Sequence, residues 1–276
     1  MSLFRCPVCG GPLERGEHTY RCEKGHSYDI AREGYTYLLP PNQKHSAAPG
    51  DDKGMAAARR EFLSKGYYKP LLDTLCREIL ARAGDVPAIL DTGCGEGYYT
   101  AGVYRALLQA GKSPRMAGID ISKFILRYAA RREKGVEFAV ASSYRLPVAD
   151  SSVDVLLNCF SPLALEEFRR VLRPEGRLIK VYPGSGYLRD LRAARNMQPY
   201  AEGQVEDYLK EKAQVLSEAR VTYTLPVTAA LWRDFVWMTP LNQDLSEEEK
   251  ERLALLPAET VTVDLHVAAV KLNGQD

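Results

Sequence analysis

The chain has 276 residues, 45% of them hydrophobic, with a formal net charge of +1 and six cysteines. That length suits one large domain plus a small one. No apolar run approaches the ~18 residues of a membrane span, and Met1-Ser2-Leu3-Phe4-Arg5 lacks a signal core, so a soluble, cytoplasmic protein without membrane contact is expected. Residues 1–70 carry 11 Lys/Arg against 8 Asp/Glu, and the remainder 26 against 28. So mild a basic excess suits either nucleic acid or ordinary solvated surface.

The first element is a pair of knuckles, Cys6-Pro7-Val8-Cys9 and, twelve residues on, Cys22-Glu23-Lys24-Gly25-His26. Two short turns with two ligands each are what tetrahedral zinc needs, and a segment this short gains folding energy from the metal. Structural zinc on Cys6, Cys9, Cys22 and His26 is therefore expected. A disulfide fits poorly with a cytosolic chain, and a redox Cys-x-x-Cys leaves the second knuckle unexplained. His18 and His45 read as surface residues, and Cys76, Cys94 and Cys159 as small buried apolar ones.

Residues 1–36 are taken as the zinc-binding domain and 37–86 as a linker with helices, the polar stretch Asn42 to Gly54 being linker chemistry. Helices are predicted near 56–63, with Arg59-Arg60 exposed, and near 71–82. From 87 to 276, apolar strands alternate with amphipathic helices, which argues for an α/β fold with a mostly parallel sheet. Strands are expected at 88–92, 116–120, 136–141, 153–158 and 177–182, and helices near 98–110, 123–133 and 163–172. A helical region near 201–217 precedes a strand at 219–224. That strand should form a closing antiparallel hairpin with the alternating Thr260 to Val267, around an insertion at 228–254.

The glycine turn Asp91-Thr92-Gly93-Cys94-Gly95-Glu96-Gly97 links the first of these strands to a helix. A strand handing such a turn to a helix lets backbone amides approach a ligand. The spacing is G-x-G-x-G, with a second acidic strand end at Asp120-Ile121. Asp91, Gly93, Gly95, Glu96, Gly97, Asp120 and Ile121 thus form a candidate site for a nucleoside with a short charged tail, Asp120 facing ribose hydroxyls. This layout resembles the S-adenosylmethionine site of Rossmann-like class I methyltransferases. Ser142 follows the third strand, where an adenine-facing residue would lie. Asn158 and Ser161, in Asn158-Cys159-Phe160-Ser161-Pro162, stand where a methyl acceptor would meet the cofactor. They are candidates to orient a planar base, or else a proline turn with a capping serine. Lys123, Arg127 and Arg131 share one helix face, read either as a solvated stripe or as a contact for phosphates.

The combination of the two knuckles with Glu33-Gly34-Tyr35, Pro49-Gly50-Asp51, Ala58-Arg59-Arg60-Glu61-Phe62-Leu63 and Met238-Thr239-Pro240 resembles the bacterial 23S rRNA guanine-N1 methyltransferases. The resemblance implies S-adenosylmethionine and structural zinc as cofactors, a guanine of a 23S rRNA hairpin as substrate, and a homodimer. It also implies that Tyr68 and Tyr187 contact the cofactor. The family varies at the fourth-strand turn, where some members carry Ala-Pro in place of Ser161-Pro162. No residue is compelled as a general base. The zinc domain and Arg59-Arg60 are candidates for gripping the RNA backbone. A small-molecule methyltransferase with a zinc lid, and a non-enzymatic RNA-binding protein, are the competing readings.

Overall fold

The computed structural model describes residues 2–40, 50–201, 203–256, 258 and 260–275. His45 and most of the expected 42–54 linker lie outside them. A three-stranded antiparallel sheet, β1 (Glu14–Arg15), β2 (Thr19–Arg21) and β3 (Ser27–Asp29), carries the knuckles. The next strand, β4 (Tyr35–Tyr37), leaves that small sheet and pairs in parallel with β7 (Glu137–Val140), at the edge of the large one. The N-terminal module is thereby fastened to the sheet domain. Glu137 adds to the join, accepting from the Leu3 amide and from Tyr20 Oη at 2.9 Å.

Helices α1 (Lys53–Ser64) and α2 (Lys69–Leu80) precede β5 (Ala88–Thr92), α3 (Tyr98–Gln109), β6 (Arg115–Asp120), α4 (Lys123–Arg132) and β7. Asp52 caps α1 by accepting from the Met55 amide, and Ser122 caps α4, as side-chain oxygens at helix starts do. There follow β8 (Val153–Cys159), α5 (Leu165–Val171), β9 (Leu172–Pro183), α6 (Arg189–Ala194), α7 (Gln204–Lys212), β10 (Ala213–Pro226), α8 (Ala229–Met238), α9 (Glu247–Ala254) and β11 (Thr260–Leu272).

The large sheet runs β10-β11-β9-β8-β5-β6-β7-β4, antiparallel only at the two pairs formed by β11. Strand order reverses between β5 and β8, and ligands of open α/β sheets sit outside such a switch point. Residues alternate between the two faces. Ile89 joins the core under α1 to α4 and α8, whereas Leu90 joins the core shared by α5, α7 and the zinc module.

Two expectations need correction. The helix expected to run to 217 ends at Lys212, and β10 starts at Ala213. The 13-residue β11 offers backbone partners from Ala213↔Leu272 onward, and that pairing outweighs local helix propensity. Arg59 is not at the surface. Its guanidinium lies 2.8 Å from Asp51 and donates to the Met238 carbonyl, inside the cover that α1 and α8 build over the sheet. Arg60 is exposed and lies over the Tyr128 ring.

Candidate functional site

A cavity of about 870 Å³ opens at the carboxyl ends of β5, β6, β8 and β9, the size range of small-molecule sites. The glycine turn forms its floor. Gly93, Gly95 and Gly97 all have positive φ, at 74°, 57° and 82°. Gly93 and Gly95 line the cavity together with Asp91, Glu96, Asp120 and Ile121. Tyr68, Ser142, Ser161 and Tyr187 line it as well, and the hydroxyls of Tyr68 and Tyr187 meet at 3.2 Å.

Two predicted residues lie outside the lining. Gly97 faces α4, where a Cβ would stand 2.9 Å from Ala129 Cα, so its lack of a side chain serves helix packing. Asn158 is fully buried, its amide donating to Thr92 Oγ1 and the Pro162 carbonyl. Its Oδ1 accepts from Lys180 Nζ at 2.5 Å. With every polar atom committed internally, Asn158 fixes the turn after β8 rather than facing a base.

The electrostatics are those of a site built for a partner. Asp120 accepts from the Gly95 amide at 3.0 Å and the Ser122 amide at 2.9 Å, locking the second acidic strand end to the glycine turn. Asp91 accepts from Thr100 Oγ1 at 2.6 Å, and burial pushes its carboxyl up to about 7. Asp91 Oδ1, Glu96 Oε1 and Tyr99 Oη are buried without a hydrogen-bond partner, and all three residues line the cavity. Folded proteins rarely leave such atoms unsatisfied, so their concentration here fits a polar ligand. A nucleoside bearing an ammonium and ribose hydroxyls carries donors of the kind the two carboxylate oxygens lack. The other half of the Glu96 carboxylate pairs with Arg132.

Three further lining residues had only faint sequence signals. Lys180 interrupts the apolar run of β9, its one visible clue. Asp51 and Arg59 come from the segment before α1 and from α1 itself, and their separation along the chain from the glycine turn conceals their approach to the cavity. Phe160 adopts φ 53°, uncommon for a bulky residue, and costs about 1–2 kcal/mol there. The turn thereby holds its ring, 43% exposed, in near-parallel contact with Tyr187 at 5.9 Å.

The knuckles converge as the spacing requires. Ligand atoms of Cys6, Cys9, Cys22 and His26 all lie within 4.8 Å of one another. Cys9 and Cys22 sulfurs are 3.7 Å apart, and His26 Nδ1 is 3.3 Å from Cys22 Sγ and 3.5 Å from Cys6 Sγ. Tetrahedral zinc with ordinary bond lengths calls for ~3.8 Å between sulfurs and ~3.5 Å from sulfur to nitrogen. The residues fit the ion, and Tyr28 Oη at 3.0 Å from Cys6 Sγ supports one ligand from behind. His18 projects into solvent beside Glu17. Arg127 and Arg131 share the single carboxylate of Glu33, which offsets one of the three charges of the expected cationic stripe.

Fold and site together define a class I, S-adenosylmethionine-dependent methyltransferase with a structural zinc module. Residues 4–47 match the N-terminal domain described as RlmA, and residues 86–244 match a methyltransferase domain. A Streptomyces fradiae protein named 23S rRNA (guanine(748)-N(1))-methyltransferase is 33% identical over 261 residues, covering 92% of this chain and 91% of its own. A Micromonospora griseorubida protein, provisionally named 23S rRNA (guanine-N1)-methyltransferase, is 35% identical, covering 86% of this chain and 85% of its own. The chain belongs to the 23S rRNA (guanine-N1)-methyltransferase family. Among the described residues, no helix is long and apolar enough to cross a membrane.

Proposed function

We propose that this protein transfers the methyl group of S-adenosylmethionine to N1 of a guanine in a 23S rRNA hairpin. The observation that carries the reading is the contact between the glycine turn and the turn after β8. A Cβ at Gly93 would lie 2.3 Å from Ser161 Oγ, so a ligand on the first turn abuts whatever the second one presents. Methyl transfer from a sulfonium asks chiefly for such alignment and for exclusion of water.

In this reading Asp120 holds the ribose hydroxyls, Asp91 the ammonium, and Ser142 faces the adenine, while Tyr68 and Tyr187 close over the cofactor with Gly93, Gly95, Glu96 and Ile121 beneath. Phe160 offers a stacking face to a nucleobase drawn out of its helix, the way single-stranded RNA bases are read. The Ser161 turn orients that base. The zinc module and the exposed Arg60 grip the backbone, and Arg59, committed to Asp51, does not. The resemblance further implies a cytoplasmic homodimer, which light scattering on the purified protein tests.

The deciding experiment is nucleoside mass spectrometry of 23S rRNA lacking the modification, after incubation with protein and S-adenosylmethionine. N1-methylguanosine at one hairpin position is expected. Methyl label in a small metabolite, with none in RNA, would overturn the reading.

A further inference from the structure

The acceptor nitrogen of guanine carries a proton at neutral pH, and some group must take it. The carboxylates that line the cavity sit at its cofactor end, each with at least one oxygen committed within the protein. Asp91 bonds Thr100, Asp120 bonds two amides, Asp51 pairs with Arg59, and Glu96 pairs with Arg132. At the acceptor end, Tyr182 donates its hydroxyl to Glu218 and is thereby occupied. Burial holds the Cys159 thiol well above its ordinary range.

Lys180 remains. It is only 5% exposed yet reaches the cavity wall, and its Nζ donates to Asn158 Oδ1 at 2.5 Å and to the Ser161 carbonyl at 2.7 Å. Both partners are neutral. The titratable group facing it from β8 is Cys159, with Asp91 of β5 behind that thiol, and β11 places the apolar Ala268 opposite. A buried amine without a contacting carboxylate is costly as an ammonium, so the neutral form, with a free lone pair, becomes accessible. Its position is fixed through Ser161, the residue that touches Gly93 of the cofactor turn.

We propose that Lys180 is the catalytic base that removes the N1 proton of the target guanine. The inference rests on the substrate reading above. In the step, the N1–H proton passes to the Lys180 amine, which becomes an ammonium. The N1 electron pair freed by its departure forms the bond to the methyl carbon. The carbon–sulfur pair stays with sulfur, whose positive charge is discharged. The ammonium so formed is held by Asn158 and Ser161 until it returns its proton to solvent. Desolvation lowers the resting amine to about 8, which keeps part of it unprotonated at physiological pH.

Two readouts test this. The first needs neither cofactor nor RNA. Nitrogen NMR of lysine-labelled protein, with the Lys180 signal assigned by its loss in K180R, should show a titration midpoint near 8. A midpoint in the ordinary lysine range, about 10.4, overturns the proposal. The second is the pH–rate profile for N1-methylguanosine formation. K180M should lose about 100-fold or more, the usual contribution of a general base, while binding S-adenosylmethionine normally by calorimetry. Its deficit should shrink above the pH at which guanine N1 ionises unaided. K180R, which keeps a donor toward Asn158 but cannot accept a proton, should be as impaired as K180M. An active K180R would reduce Lys180 to a prop for the turn and overturn the proposal. Wild-type protein that makes no N1-methylguanosine overturns the substrate reading, and the proposal with it. A wild-type enzyme that makes it, beside an unimpaired K180M, overturns the role of Lys180 alone.

Discussion

Asp264 of β11 holds Gly186, in the loop that follows β9, by accepting its amide at 2.9 Å. The same carboxylate takes a two-pronged pair from Arg220 of β10, both bonds at 2.8 Å, and the Thr222 hydroxyl. Gly184 and Gly186 come so close that a Cβ on either would stand 2.6 or 3.0 Å from that carboxylate. The closing hairpin thus anchors the loop that delivers Tyr187 to the cavity. Arg220 and these hydrogen bonds hold the Asp264 carboxyl down at about 2, so its contribution is complete at neutral pH and lost as acid drives pH from about 4 toward 2. Asp264→Asn should cost about 1–3 kcal/mol and weaken S-adenosylmethionine binding by loosening Tyr187. Calorimetric titration alongside thermal melting checks it; unchanged affinity would detach the loop from the site.

The glycine turn separates two kinds of damage. At Gly97 a side chain meets α4 backbone at Ala129, whereas at Gly95 the nearest atom is Ile125 Cδ1 at an ordinary 3.7 Å. Gly97→Val should therefore lower the melting temperature by well over the strain of its positive φ, at about 2–4 °C per kcal/mol. Gly95→Val has room but must leave φ 57°, and its amide must then leave Asp120. Cofactor affinity should fall at least tenfold with a smaller loss of stability. Equal melting temperatures for the two variants would contradict this division.

How much of this was legible in the sequence follows from range. The knuckles and the glycine turn are local patterns, recognisable from residue type and spacing. The strands of the parallel sheet are continuous apolar runs, equally local. The start of β10 is hidden in the sequence because the partner of Ala213, Leu272 of β11, lies far downstream. Asn158 looked like a base-facing amide because nothing nearby in sequence shows that Lys180 and Thr92 consume it. Lys180 is not singled out by the sequence, where it is one cation inside an apolar strand, and its placement beside the site depends on the parallel register Asn158↔Lys180. The module boundary is similar: β4 reads as the tail of the zinc segment, yet pairs with β7 a hundred residues on.

The metal centre makes its own prediction. Cys22 Sγ lies within 3.7 Å of both Cys9 Sγ and His26 Nδ1, so its loss removes one vertex of the tetrahedron. Cys22→Ser should release zinc and increase hydrogen exchange across residues 2–30, because so small a segment depends on metal for its folding energy. The sheet domain, with its own core, should keep binding S-adenosylmethionine. Metal analysis showing undiminished zinc would remove Cys22 from the ligand set.

Asp91 ties stability to function in opposite directions. Burial raises its carboxyl to about 7, while an unfolded chain releases that proton near pH 4. Between those values the folded protein holds a proton that the unfolded one has lost, so the contribution of Asp91 is full below pH 4 and disappears as pH rises through 7. At pH 7.5 the cofactor-free protein therefore carries a buried carboxylate whose Oδ2 accepts from Thr100 and whose Oδ1 has no partner among the described residues. Asp91→Asn removes that charge yet keeps an acceptor for Thr100, so the cofactor-free protein should melt several degrees higher at pH 7.5 and lose much of its pH slope between 5 and 8, at about 2–4 °C per kcal/mol. The same substitution should weaken S-adenosylmethionine binding about tenfold or more, the scale of a hydrogen bond to a charged group. Melting curves across that pH range, with and without cofactor, measure both effects. A variant that is less stable without cofactor, or that binds it as tightly as the wild type, would show that the carboxylate is held for some reason other than the ammonium.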